Sequence, residues 1–253
     1  MILTFLGTGT SNGVPIIGCH CPTCSSKDPK NHRYRCSVAI ENEKGRVIID
    51  TPPEFRLQCI RENIDKVDAV LLTHDHADHI FGLDDLRGFT MQTGESIPVY
   101  SSENCLNIVH RAFYYMFRQP VNKTHIPKLT LNILNKEPVN LIGIDFLPVR
   151  IKHGKLDIFA YKFGNVMYCT DCSRIPLSSQ KHFFNLDVLI LDCIKYAPHP
   201  THLSLNQALR IVDKYKPKKA YFTHTTHYFE YNEVSELLPE NVELAYDGLK
   251  INI

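Results

Sequence analysis

The seven residues THDHADH, at positions 73–79, hold three histidines and two aspartates. They follow VDAVLL (67–72), an apolar run typical of a buried strand. On a turn that leaves a strand, neighbouring side chains can converge, whereas a regular strand would send them to opposite faces. Imidazole and carboxylate ligands together suit zinc, manganese or iron. The stretch therefore predicts a metal centre at the end of a strand, with candidate ligands His74, His76, Asp78 and His79.

Further ligand-type residues stand where other strands are predicted to end. His153 follows DFLPVRIK, Asp171 closes VMYCTD, and His224 closes AYFTH. Each of these residues alone is more typical of a hydrogen-bonded structural side chain than of a metal ligand. Their repeated placement at strand ends favours one centre that is assembled from both halves of the chain.

Short apolar, β-branched runs alternate with helical patterns along the whole chain. The clearest helix covers residues 204–216, with Ser204 as N-cap and Pro217 as terminator, and 53–64 and 104–119 are further candidates. Because no repeat or low-complexity linker interrupts the pattern, we expect one domain, residues 1–253, in which two packed sheets carry helices on the outside. The predicted strands are 2–6, 37–41, 46–50, 69–74, 98–102, 129–134, 144–151, 158–163, 166–171, 187–192, 219–224 and 250–253.

The ligand pattern resembles that of the metallo-β-lactamase-fold hydrolases, in which H-x-H-x-D-H is followed by a distant His, a bridging Asp and a final His. The resemblance runs from FLGTGTS (5–11) to AYDGLKINI (245–253). It implies an α/β fold, the four-layer αββα sandwich, with two divalent metal ions at one edge of the sheets. It also implies that one ion is held by His74, His76 and His153, that the other is held by Asp78, His79 and His224, and that Asp171 bridges them.

Departures from other branches of that superfamily narrow the expected chemistry. Position 76 is His where the diiron flavoprotein branch carries Glu, position 79 is His where the lactam-cleaving enzymes carry Arg, and Asp171 replaces their Cys. These differences favour a dinuclear hydrolase. Two ions about 3.5 to 4 Å apart suit in-line displacement at phosphorus by a metal-bound hydroxide.

A second metal site is predicted by GCHCPTC (18–24). Cys19, Cys21 and Cys24 need one more ligand to complete a closed tetrahedral zinc site, and the alternative is three reduced, buried thiols. In the phosphoribosyl 1,2-cyclic phosphate phosphodiesterase (PhnP-like) branch, a similar cysteine motif pairs with a C-terminal T-H-x-x-H. This resemblance implies that His227, in THTTH, is the fourth ligand of a structural zinc.

Candidates for proton transfer and substrate contact lie outside these ligand sets. PHPTHLS (198–204) offers His199 and His202, and the same branch has a His in a similar context, 22 residues before its final metal ligand, as His202 is here. His202 is therefore the expected general acid, although a solvated loop histidine is the alternative, and Asp78 is a second candidate for handling protons. Arg87 is a candidate phosphate contact, but an ion pair with Asp84 or Asp85 is an equal alternative.

Asp50, at the end of RVIID, is expected to orient a metal-binding histidine. Residues 104–128 interleave basic and aromatic side chains, which suits a cap over the site or a homodimer surface. An ordinary amphipathic helix is the alternative for that segment.

Composition limits the remaining possibilities. The 28 basic and 27 acidic residues nearly cancel, so net charge gives no support for a nucleic-acid partner. The chain has no signal-peptide pattern and no apolar run near the roughly 18 residues that cross a bilayer, so a cytoplasmic protein is expected. Nine cysteines, an odd number, argue against a complete disulfide framework and favour metal ligands and buried thiols.

These patterns favour a metal-dependent phosphodiesterase that hydrolyses a small cyclic phosphate or phosphodiester, such as 5-phosphoribosyl 1,2-cyclic phosphate. The expected cofactors are two zinc or manganese ions, with iron as a third option, and one structural zinc. Three alternatives stay open. They are a tRNA 3′-processing endonuclease, a thioesterase of the glyoxalase II kind, and a non-catalytic zinc-organised interaction protein.

Overall fold

A computed structural model describes residues 1–118 and 126–253. Within these ranges the chain forms fourteen strands. The strands are β1 (Ile2–Gly7), β2 (Ser37–Asn42), β3 (Gly45–Ile49), β4 (Ala69–Leu71), β5 (Ile97–Ser101), β6 (Leu129–Ile133), β7 (Val139–Leu141), β8 (Ile144–His153), β9 (Leu156–Phe163), β10 (Val166–Cys169), β11 (Val188–Asp192), β12 (Lys219–Thr223), β13 (Val242–Leu244) and β14 (Lys250–Asn252).

Short helices connect many of these strands. The α-helices are α1 (Phe55–Arg61), α2 (Ala77–Ile80), α3 (Arg87–Thr93), α4 (Glu103–Ala112), α5 (Tyr114–Phe117), α6 (Leu177–Gln180), α7 (Leu205–Tyr215) and α8 (Tyr231–Leu237). Single 3₁₀ turns occur at Pro29–Asn31, Leu83–Leu86 and Lys181–Phe183. In the described part of the chain, no helix has the length and apolar content needed to cross a bilayer.

The strands form two seven-stranded sheets of matching design. The first has the order β14-β1-β2-β3-β4-β5-β6, and the second has the order β13-β12-β11-β10-β9-β8-β7. In the first sheet, neighbouring strands run antiparallel from β14 through β1 and β2 to β3, and parallel from β3 to β6. In the second sheet, neighbouring strands run antiparallel from β7 to β10 and parallel from β10 to β13. Each sheet therefore contributes a block of parallel strands whose carboxyl ends can meet at one edge.

Three clusters of buried apolar residues fill the spaces between four layers. Phe5, Tyr161 and Tyr168 lie in the cluster between the two sheets. A second cluster joins the first sheet to α1 and α4, and a third joins the second sheet to α7. Full burial of one large apolar side chain contributes about 1.5–3 kcal/mol, so these clusters hold the layers together. The predicted fold class, a four-layer αββα sandwich, is confirmed.

Most sequence-based elements occur within a few residues of their expected bounds. α7 starts directly after Ser204, whose backbone amide donates a hydrogen bond to Gln207 Oε1 in a capping box. The helix is capped at its C-terminus by Lys216, which adopts the left-handed conformation before Pro217. The helix expected over 104–119 breaks at Phe113 into α4 and α5. The three-residue strands β7 and β13 were not predicted; the equally short β4 and β14 were, because each lies within a longer run that was read as a strand. Lys123, part of the expected cap or dimer surface, lies outside the described residues.

A buried arginine ties the first loop of the chain to the last. Arg33 is 1% exposed and donates hydrogen bonds to the carbonyl oxygens of Thr226 (2.9 Å) and Phe229 (2.7 Å). Burial lowers the pKa of Arg33 to about 10, which still leaves the guanidinium charged at neutral pH. Gly9 pairs with Thr225 in the same region, where an added Cβ would lie 2.7 Å from the Arg33 carbonyl oxygen. This contact between the two loops therefore requires glycine at position 9.

Replacement of Arg33 by Ala leaves the carbonyl groups of Thr226 and Phe229 without these donors and opens a cavity between the loops. We expect the free energy of unfolding to fall by about 3 kcal/mol, as for other buried charged groups whose interactions are removed. Urea denaturation followed by circular dichroism measures this change. The exposed Arg210 serves as a matched control, and Arg210→Ala should change stability by less than about 0.5 kcal/mol. Equal stabilities of the two variants would contradict the structural role of Arg33.

Candidate metal centre

The predicted ligands lie at one edge of the sandwich because each follows the end of a strand. His153 is the last residue of β8, His224 directly follows β12, and Asp171 comes two residues after β10. The THDHADH stretch follows β4, and its last residues form the single turn α2, which begins after His76. Strands of both sheets therefore supply the centre, as the repeated strand-end placement predicts.

All seven predicted active-site ligands converge in overlapping groups. Within each group, one ligand atom per residue lies within 4.8 Å of the others. Asp171 lies near ligands of both predicted ion sites: its Oδ2 lies 3.2 Å from His79 Nε2, its Oδ1 lies 3.3 Å from His224 Nε2, and it also groups with His74. The groups are His74, His76 and His153; His74, His79 and Asp171; and Asp78, His79 and His224.

Several nitrogen atoms of this cluster are buried without a hydrogen-bond partner in the described ranges. Among them are the Nε2 atoms of His74, His79 and His224. Buried polar atoms in proteins are almost always hydrogen-bonded, and an unpaired one costs about 1–3 kcal/mol. Divalent cations between these nitrogens and the carboxylates of Asp78 and Asp171 would satisfy them. The donor set, imidazole plus carboxylate without thiolate, therefore fits zinc, manganese or iron.

In His74, His79 and His153 the other ring nitrogen is used to orient the ring. His79 Nδ1 lies 2.7 Å from Asp50 Oδ2, and both side chains are fully buried. The Thr73 hydroxyl donates a hydrogen bond to Asp50 Oδ2 at 2.9 Å. Because its hydrogen is engaged there, the hydroxyl oxygen accepts a hydrogen bond from His74 Nδ1, also at 2.9 Å. His153 Nδ1 lies 2.9 Å from the Thr201 carbonyl oxygen. Each contact requires a proton on Nδ1 and leaves Nε2 free to bind a metal.

Three non-glycine residues of this region adopt left-handed backbone conformations. Asp50, Asp171 and His224 have φ angles of 64°, 54° and 58°. Such values are uncommon for residues other than glycine, and they persist where surrounding contacts impose them. At the three positions the chain turns sharply as it leaves a strand, which directs the side chains toward the shared centre.

The pKa values of the clustered side chains depend strongly on the charges of their neighbours. Burial by itself would lower the pKa of His79, but the carboxylates of Asp171 and Asp78 outweigh it and hold that pKa well above its usual value. Burial would likewise raise the pKa of Asp171, but His224 and His79 outweigh it and keep that carboxyl ionised. Burial and the neighbouring His79 lower the pKa of His74 well below normal. The centre is thus rich in ionised carboxylates, and cation binding would displace protons from its imidazoles.

His202 lies beside the centre and is oriented by an aspartate that sequence analysis missed. Its Nδ1 is 3.1 Å from Asp192 Oδ1, while Asp192 Oδ2 accepts a hydrogen bond from the Leu203 backbone amide at 2.8 Å. The His202 ring stacks on His224 with 4.7 Å between ring centroids. One of its ligand atoms also lies within 4.8 Å of those of His153 and Asp171. Asp192 ends β11, so the strand-end rule that pointed to the other ligands could have found it.

Arg87 is not among the residues brought together here. Its guanidinium forms an ion pair with Asp84, which was one of the two arrangements considered for it. It lines a cavity of about 640 Å³ with Phe55 and Cys59, between α1 and α3. None of the seven predicted active-site ligands lines that cavity.

The second predicted metal site also assembles. His227 Nδ1 lies 3.3 Å from the Cys19 sulfur and 3.4 Å from the sulfurs of Cys21 and Cys24. Three thiolates and one imidazole at mutual contact distance fit a closed, tetrahedral zinc site. The site joins the first loop to the loop that carries His224. The remaining cysteines are free and buried: Cys36, Cys59, Cys105, Cys169, Cys172 and Cys193.

Replacement of Cys21 by Ser should remove about one zinc equivalent per chain and lower the melting temperature, because zinc binding at such sites contributes directly to folding. Elemental analysis by mass spectrometry and a thermal melt measure both effects. Cys105→Ala, at a buried thiol outside the cluster, is the matched control and should keep the full zinc content. Undiminished zinc in Cys21→Ser would mean that these cysteines are ordinary buried thiols.

Comparison with known proteins agrees with this geometry. A family model described as the beta-lactamase superfamily domain matches residues 45–225. The chain belongs to this superfamily, whose fold implies divalent metal ions. A crystal structure of a diphosphatase from the PhnP family is 41% identical with a TM-score of 0.93, and the match covers 100% of this chain and 97% of that one. Within the superfamily the chain is therefore a member of the PhnP family and a metal-dependent hydrolase.

Two further similarities carry less functional information. An octanoyltransferase from Porphyromonas gingivalis is 35% identical over 249 residues, which is 97% of this chain but 50% of that protein. Because the chain spans only half of its length, the name of that relative does not assign an activity to the matching half. Human tRNase Z, short form, is 17% identical with a TM-score of 0.72, covers 100% of this chain and 99% of that one, and shows the fold alone.

Proposed function

We propose that this protein hydrolyses a small phosphodiester, with a cyclic sugar phosphate such as 5-phosphoribosyl 1,2-cyclic phosphate as the leading candidate. The observation that carries the proposal is the convergence of seven nitrogen and oxygen ligands beside a histidine that an aspartate orients. A phosphoric anhydride is the second candidate, because the PhnP-family relative is a diphosphatase. Both reactions are displacements at phosphorus.

The residues present would hold two divalent ions, one among His74, His76 and His153 and one among Asp78, His79 and His224, with Asp171 shared. Two such ions, zinc or manganese with iron as the further option, would acidify water and neutralise charge on phosphate oxygens. Asp50 and Thr73 keep the imidazoles in the tautomer that presents Nε2 to this space. The chain thus supplies preorganised ligands for the two cations, which in turn would neutralise the phosphate oxygens of an ester.

The position of His202 supports a role as general acid. Asp192 accepts a hydrogen bond from His202 Nδ1. The Nε2 atom of His202 is therefore the one that would donate a proton to a departing alkoxide. The side chain is 8% exposed, which limits competition from bulk water. Asp78, the other candidate for proton transfer, lies 3.4 Å from His79 Nε2 and 3.9 Å from His224 Nε2, so its carboxylate is engaged by two ligands of the centre.

A substrate panel tests the proposed function against its alternatives. We expect the metal-replete protein to cleave 5-phosphoribosyl 1,2-cyclic phosphate and bis(p-nitrophenyl) phosphate, to lose activity with a chelator, and to regain it with zinc or manganese. Cleavage of S-lactoylglutathione alone would make the protein a thioesterase. Cleavage of precursor tRNA with binding that weakens steeply with salt would make it a tRNA-processing nuclease. A metal-replete protein that is inactive on every substrate would favour an interaction protein.

Replacement of His202 by Ala should lower kcat for a sugar cyclic phosphate by about 100-fold to 10,000-fold, the usual contribution of a general acid. The loss should be much smaller for bis(p-nitrophenyl) phosphate, because p-nitrophenolate departs without a proton. Metal content, measured on the same samples, should stay unchanged. His182→Ala, at a histidine in the 3₁₀ turn Lys181–Phe183, is the control. If His202→Ala loses metal, His202 is a ligand, and if both substrates slow equally, it is not the acid.

A further inference from the structure

A cavity of about 580 Å³ adjoins the metal centre and shares its wall. His74 and Asp75, of the THDHADH stretch, line it on one side. One face of α4, from Asn104 to Arg111, and the hairpin formed by β8 and β9 line the others. The hairpin is tied to the ligand loop, because the Phe159 backbone amide donates to the Thr73 carbonyl oxygen at 3.0 Å. The position of this cavity relative to the metal ligands is therefore set by main-chain contacts.

Three cationic side chains from three separate elements face this cavity. They are Arg111 of α4, Arg150 of β8, and Lys155 in the turn between β8 and β9. In residues 1–118 and 126–253, no carboxylate lies within 4.0 Å of any of the three cationic groups. Nearby Lys152, in contrast, pairs with Asp157 at 2.7 Å.

The remaining lining lets the cavity hold a polar group of moderate size. Asp157 is neutralised by Lys152, which leaves Asp75 as the one lining carboxylate without a basic partner in the described ranges. Asn104 and Asn107 contribute amide groups, and Phe159, the cross-strand partner of Arg150, forms an apolar wall. Three cations against one such carboxylate give the cavity a positive potential.

We propose that this cavity binds a second anionic group of the substrate, a terminal phosphate monoester remote from the ester that reacts. The inference rests on the proposed function, since the reacting phosphorus must be at the metal centre. Guanidinium groups bind phosphate through paired, charge-assisted hydrogen bonds, which a neutral substituent cannot accept equally well. Binding of the terminal phosphate in this cavity would also position the reacting ester for attack at the metal centre.

The test compares two substrates that differ only in the remote group: ribose 1,2-cyclic phosphate with and without a 5-phosphate. For the unmodified holoenzyme we expect kcat/KM to be at least about tenfold higher for the 5-phosphorylated sugar. In the triple variant Arg111→Gln, Arg150→Gln, Lys155→Gln, the ratio of the two kcat/KM values should fall toward one, chiefly because KM for the 5-phosphorylated sugar rises. Each single variant should lower the ratio about twofold to fivefold, because these exposed cations act through solvent-screened interactions. The single variants keep the test decisive if the triple variant does not fold.

The control is Arg210→Gln, an exposed arginine on the outer helix α7, which should leave the ratio unchanged. Binding of ribose 5-phosphate to the holoenzyme, measured by calorimetry, gives a readout that does not depend on turnover, and it should weaken in the triple variant but not in the control. Equal kcat/KM for the two sugars in the unmodified enzyme overturns this inference and leaves the proposed function standing. Failure to cleave either sugar or any diester overturns the proposed function itself.

Discussion

The structure depends on one constraint: a cluster of histidines and aspartates lies at the edge of two sheets, and most of its members are buried there. The Nε2 atoms of three of its histidines have no hydrogen-bond partner in the described part of the chain, although they are buried. Such a cluster is stable only if its charges are balanced and its nitrogens are bound. The ionised carboxylates of Asp78 and Asp171 balance imidazolium in the metal-free protein, and cations would take over that role. The strand ends, the strained backbone and the supporting hydrogen bonds all serve this arrangement.

Two aspartates, one from each sheet, perform the same task on opposite sides of the centre. Asp50 follows β3 and orients His79 directly and His74 through Thr73. Asp192 ends β11, and its Oδ1 lies 3.1 Å from His202 Nδ1 and 3.4 Å from His224 Nδ1. Both aspartates are completely buried. A buried carboxylate that faces two imidazoles fixes their tautomers, so the two residues control which ring nitrogen reaches the metal or the substrate.

The loop after β1 and the loop after β12 connect stability with the metal centre. The cysteine cluster and Arg33 belong to the first loop, and each contacts the segment that follows His224. The position of His224 therefore depends on contacts far away in sequence, and loss of a zinc ion from the proposed cysteine site would be expected to disturb the metal centre. The basic cavity beside His74 lies at the same edge of the sandwich, so the metal centre and the proposed phosphate site are adjacent.

The sequence by itself determined the ligand types, their spacing and their placement after strands. Alternating and apolar patterns located most strands, because side chains along a strand alternate between the two faces of its sheet. The resemblance to a known family supplied the layered architecture. What only the tertiary structure decided were contacts between residues far apart in the chain. Examples are Asp192 facing His202, Arg33 reaching Phe229, and Arg111 meeting Arg150 across one cavity. No local pattern records such contacts, because each depends on how the two sheets and their loops pack. The same reason explains Arg87, whose neighbours in sequence allowed either a phosphate contact or an ion pair, and which pairs with Asp84 in the fold.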